Sequence, residues 1–140
     1  MTSAVLFPLG REGFLAGEID WDTATIKIAL CRGYTYDATD KFVSDLTGVT
    51  QVATATLGTK SVTQGVADAA DGTFGAVGAG AACDCIILYQ ASAVGGGVDV
   101  ATSAQRLIAF IDTATGLPVT PNGGEVTFAF DSGANKIFKL

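Results

Sequence analysis

Few residues in this chain are equipped for chemistry. Cys31, Cys83 and Cys85 are its three thiols. Cys83 and Cys85 stand at i and i+2 in CDCIILYQ, a spacing that puts both on one face of a strand. With Cys31 from a second strand they would make a three-thiolate cluster. Zinc takes four ligands, and the chain has no His to complete the set. Three readings stay open: small buried apolar side chains, thiols that bridge to another subunit, or a metal site. The first is the ordinary fate of a free cysteine, and no metal or other cofactor is expected.

Glu18, Asp20 and Asp22 in GEIDWDT bring carboxylates together, as a calcium loop or an acid/base pair would. The Asp/Gly spacing of a calcium loop is missing, so solvated charges at a strand start are expected. Trp21 between them is a core or interface anchor. Asp68 and Asp71 in VADAADG read as a turn, with Asp71-Gly72 at its tight end. GAVGAGA lacks the Lys-Ser/Thr and the helix of a phosphate-binding loop. Tyr34 and Tyr36, in the polar stretch GYTYDATD, are placed to stack on a sugar or a partner side chain. The lack of His removes the commonest general base and every Ser-His-Asp or Cys-His arrangement. No enzyme activity is expected.

The elements that must carry these residues are strands. Arg106 to Asp112 is apolar on both faces, with Leu107, Ala109 and Ile111 on one and Ile108 and Phe110 on the other, so it needs cover on both. Cys83 to Gln90 has the same character, and the two are expected to pair at the centre of one sheet. Thr23 to Arg32 alternates Ile26, Ile28 and Leu30 against Lys27, Ala29 and Cys31. Glu125 to Asp131 alternates Val126, Phe128 and Phe130 against Glu125, Thr127 and Asp131, a half-buried strand. Val49 to Gly65 reads as two strands split near Gly58, and Thr73 to Val77 as a short one. Gly10 to Ile19 is a short helix with Phe14 and Leu15 inward and Arg11, Glu12 and Glu18 outward, weakened by Gly13 and Gly17. Met1 to Pro8 is an arm or an edge strand, and Asn135 to Leu140 a short strand or docked tail. These pieces predict an all-β fold, mainly an antiparallel sandwich or barrel with one short N-terminal helix, in a single domain over residues 1–140.

Composition limits the partners. The net charge of −6 and a pI near 4.3 argue against nucleic acid, which needs a basic footprint. No apolar run is long enough for a membrane helix. The opening MTSAVLFPLGREGF has no basic segment before an apolar one, so the expectation is a cytoplasmic start without an export signal. Glycine, 18 of 140 residues, gathers in Gly78 to Ala82 and Ser92 to Thr102, and ordering such connectors is entropically costly. They are expected to order only against a partner.

Three stretches carry a resemblance: GREGFLAGEIDWDTATIKIAL, TKSVTQGVADAADGTFGAV, and RLIAFIDTATGLPVTPNGGEVTFAFDSGANKIFKL. Together with CIILYQ they resemble a group of small virion structural proteins of tailed bacteriophages. The resemblance spans nearly the whole chain and is strongest at Gly10 to Trp21, Val62 to Asp71 and Leu107 to Leu140. It is looser at Cys31 to Leu57 and Ser92 to Thr102, and the CDC at Cys83 to Cys85 is peculiar to this chain. It implies a non-catalytic particle component, made in the host cytoplasm and resident in the virion. The first expectation is a capsid decoration (cement) protein that binds the major capsid protein as a homo-oligomer. A tail, neck or fibre-attachment role is the alternative, and a glycan-binding module using Tyr34 and Tyr36 is a third. On the first reading, Met1 to Pro8 and Asn135 to Leu140 either pair with a neighbour's sheet edge or pack on their own domain. An exposed cysteine would allow an intersubunit disulfide.

Overall fold

The computed structural model describes residues 4–140. Its strands are β1 (Val5–Leu6), β2 (Ile26–Arg32), β3 (Thr50–Thr56), β4 (Ser61–Thr63), β5 (Val66–Asp68), β6 (Gly72–Ala76), β7 (Cys85–Gln90), β8 (Leu107–Ile111), β9 (Glu125–Phe128) and β10 (Phe138–Lys139). One α-helix, α1 (Pro8–Leu15), follows β1. The main sheet has the order β1-β8-β7-β2-β3, a second runs β10-β5-β4, and β6 pairs with β9. All pairings are antiparallel, so the fold is all-β with a short N-terminal helix. No helix among the described residues is long and apolar enough to cross a membrane.

The doubly apolar strands lie where their patterns require. β7 and β8 pair at the middle of the main sheet and every residue of both is buried. One face carries Ile26, Ile28, Leu30, Ile86 and Leu88, and it is covered by Ala67 and Phe138 of the second sheet and by Phe128 of β9. The other face carries Ala29, Cys31, Cys85, Ile87 and Tyr89, covered by Phe7, Tyr34, Val43 and Leu46. Each large side chain so buried contributes roughly 1.5–3 kcal/mol.

Strict alternation fails in β8. The register jumps from Leu88↔Ala109 to Tyr89↔Leu107, which leaves Ile108 as a bulged extra residue. Ile108 therefore joins Ala109 and Ile111 in one core, while Leu107 and Phe110 enter the other. The bulge turns the Ile108 carbonyl toward the chain before α1, where it accepts from the Phe7 amide at 3.0 Å.

Helix α1 is short, as expected, with Pro8 opening it where a missing N–H costs nothing. Its inward face differs from the expectation. Leu15 is 91% exposed, and the buried positions are Gly10 and Gly13. A Cβ on Gly10 would stand 2.8 Å from the Leu107 carbonyl oxygen, so this glycine lets the helix lie directly on the β8 backbone. Strand β5 is a further addition to the sequence reading. Gln64 and Gly65 both take positive φ between the paired residues Thr63 and Val66, the backbone of a two-residue hairpin turn.

The terminal segments fold onto their own chain. Val5 and Leu6 pair with Phe110 and Ala109, and Phe138 and Lys139 with Ala67 and Val66. Residues 1–3 of the predicted N-terminal arm lie outside the described residues.

Candidate interaction surface

The cysteines do not form one cluster. The extended strand begins only at Cys85, so the i, i+2 rule does not reach Cys83. Cys83 bridges to Val119 and packs in the core beneath the small sheets, while Cys85 faces the opposite core beside Cys31. Cys31 and Cys85 are direct cross-strand partners in β2 and β7. All three are free and buried, so none is presented to a second subunit. The Cys31 thiol is raised well above its ordinary range, first by its hydrogen bond with Cys85 and then by burial. Cys83 is raised by burial, opposed by the nearby Arg32. No group of three or more His, Cys, Asp or Glu among the described residues is arranged to hold a metal.

The carboxylates of GEIDWDT have separate structural work. Asp20 accepts from the Thr23 hydroxyl at 2.7 Å and from the Asp22 and Thr23 amides, closing a local turn. The Thr23 hydroxyl bond, ahead of the backbone ones, holds its carboxyl below the ordinary range. Glu18 pairs with Arg106, whose guanidinium also donates to the Leu9 carbonyl. Gln90 stitches the segment to β7, donating to the Glu18 carbonyl at 3.0 Å and accepting from the Asp20 amide at 2.9 Å. Asp71 accepts from the Phe130 amide at 2.7 Å, tying the end of its turn to the chain after β9.

Trp21 is a core anchor. It is 4% exposed, donates from Nε1 to the Asp68 carbonyl at 3.1 Å, and meets the Phe138 ring edge-on at 5.2 Å. Tyr34 and Tyr36 are not a free stacking platform. Tyr34 is buried edge-on against Phe110, with its hydroxyl donating to Asp40 at 2.7 Å. Tyr36 is half-buried between Phe7 and Phe110. Both serve as the lid of the second core, a role that polar neighbours in GYTYDATD concealed.

What the surface does offer is a groove and open sheet edges. The groove, about 280 Å³, is lined by Trp21 and Phe138, by Val62, Val94 and Leu140, and by Asp20 and Asp22. Val62, Val94 and Leu140 are 56%, 49% and 53% exposed, so its lip is apolar. The edges of the main sheet are β1, which has two residues, and β3, which has seven. Thr50–Thr56, TQVATAT, has no charge and no proline, and that signal of an unguarded edge is carried by the amino-acid sequence itself. No family model, no curated protein and no solved structure matches this chain.

Proposed function

We propose that the protein is a non-catalytic structural component of a tailed-phage virion, in the first instance a capsid decoration protein that clamps neighbouring subunits of the major capsid protein. The observation that carries the reading is how the stretches of resemblance pack. Gly10 to Trp21, Val62 to Asp71 and Leu107 to Leu140 are far apart in sequence. Trp21 meets all three at one point, lying in the first, bonding to the Asp68 carbonyl in the second and meeting the Phe138 ring edge-on in the third. The stretches that carry the resemblance are thus stretches that pack together in one unit, while the looser ones comprise β3 with the chain leading into it and the connector between β7 and β8. An acidic all-β body with free sheet edges suits docking onto a protein shell.

The test is cryo-electron microscopy of intact particles of the phage that encodes it. Copies spread over the shell lattice are the expected result. A single ring at one vertex or along the tail would replace decoration with the tail or neck role. Absence from purified particles would overturn the virion reading altogether.

A further inference from the structure

The geometry points to β3 as a self-association edge: two copies of this chain join antiparallel through Val52–Thr56, merging their main sheets into one. This inference stands independently of the virion reading.

The first observation is that the edge is open. β3 hydrogen-bonds to β2 on one side, and among the described residues no backbone bond satisfies the other. β6 approaches β3, with Phe74 packed on the same core as Ala53 and Ala55, yet no sheet bond joins the two strands. Which groups are unsatisfied follows from the register. Leu57 donates to the Ile26 carbonyl at 2.9 Å, so Leu57, Ala55 and Ala53 form the bonded pairs with β2. The N–H and C=O of Thr54 and Thr56 therefore point outward.

The second observation is the residues present. Natural sheets guard exposed edges with lysine, proline or inward charges. β3 has none of these over its seven residues, and its guard is one irregularity between Gln51 and Ala53. Thr54 and Thr56 are exposed, whereas Val52, Ala53 and Ala55 touch the core and remain only partly covered. A neighbouring strand would complete that cover.

A second copy fits the edge. Placing a two-fold axis at Thr54 makes Thr54 its own bonded partner, each amide donating to the other carbonyl. Ala53 then faces Ala55 of the other copy on the core side, while the threonine pair lies on the opposite side, so the two faces stay in phase over Ala53–Ala55, up to the irregularity at Val52. Each chain carries −6, and a neutral strand is where two such chains meet without like charges opposed.

The test uses the full chain. Sedimentation velocity over a concentration series is expected to show a reversible monomer–dimer equilibrium. Thr54→Pro removes an outward donor, which an edge strand tolerates, and should abolish the dimer while leaving the far-UV spectrum intact. Thr54→Cys should form a disulfide-linked homodimer on mild oxidation, because bonded antiparallel partners stand about 5.5 Å apart at Cα, within disulfide reach. Thr63→Cys on β4 should not. A wild-type chain that stays monomeric throughout, or a dimer that survives Thr54→Pro and fails to cross-link through Thr54→Cys, overturns the inference. Neither result bears on where the protein sits in a particle.

Discussion

Arg106 and Glu18 join the residue just before β8 to the segment that follows α1, across 88 positions of sequence. The two partners are unequally placed: the Arg106 side chain is 4% exposed and that of Glu18 55%. Arg106 also donates to the Leu9 carbonyl and lies 5.7 Å from the Phe42 ring centre. The cation is thus held by a helix carbonyl, an aromatic face and a half-solvated carboxylate at once.

That asymmetry predicts unequal mutational costs. Glu18→Gln should lose about 1 kcal/mol or less, because a solvated partner is screened and the Leu9 contact remains. Arg106→Ala should lose about 2–4 kcal/mol, since it empties a packed site and removes the bonds to Leu9 and Glu18 together. Urea unfolding of both variants checks this, and equal costs would show that the helix is not held through Arg106.

Helix packing gives a second expectation. Gly10→Ala improves helix propensity yet drives a methyl into the β8 backbone, 2.8 Å from the Leu107 carbonyl oxygen. A net destabilisation of about 1–3 kcal/mol is expected, the usual cost of overpacking a rigid contact. Gly78→Ala has open space around it and should stay within about 0.5 kcal/mol of wild type. A neutral Gly10→Ala would mean that α1 lies further from the sheet.

The buried thiols should be silent in the folded protein. Ellman's reagent at neutral pH is expected to find no reactive cysteine in the native chain and three after unfolding. Rapid modification of a thiol under native conditions would place that cysteine at the surface and reopen the intersubunit bridge.

Stability should fall on the alkaline side. Tyr34 and Tyr89 are raised by burial, and Cys31 by its bond to Cys85 and by burial. The folded chain keeps these protons where the unfolded chain has released them, so unfolding becomes easier as pH rises. The contribution is complete below the ordinary thiol value of 9.0 and is lost above it and above the phenol value of 10.0. The urea midpoint is expected to hold steady up to about pH 9 and to drop progressively above it, and a flat profile would contradict the burial of these groups.

The connector Ser92 to Thr102 is pinned at its base by the Ser92–Asp99 bridge and the Lys27–Asp99 ion pair, while within its glycine tip Gly96 bonds to the Ala93 carbonyl at 3.1 Å. Gly95, Gly96 and Gly97 all take positive φ, which costs most to order. Amide exchange there should be fast in the free chain and slow in the assembled particle. Equal protection in both states would remove the idea that a partner orders it.

The sequence by itself determined most of the strands, β5 excepted, and the residues of the main sheet that need burial. The faces of β2, β7 and β9 were legible because an unbroken period of two reports the local backbone directly. So were the pairing of β7 with β8, two strands that each need cover on both sides, and the shortness of α1. Tertiary structure alone decided the rest. The bulge at Ile108 comes from β8 serving β7 and the chain before α1 together, a demand no local pattern records. Cys83 and Cys85 parted because regular pairing with β2 starts at Cys85. Tyr34 and Tyr36 turned inward because the second face of the main sheet needed a lid. Leu15 was left outside because α1 already met the body through Gly10, on β8, and Gly13, under Arg106 and Ile19. Strand β3 is left with an open side for the same reason: which edge of a sheet goes unpaired depends on the whole strand order, set by contacts between residues far apart in the chain.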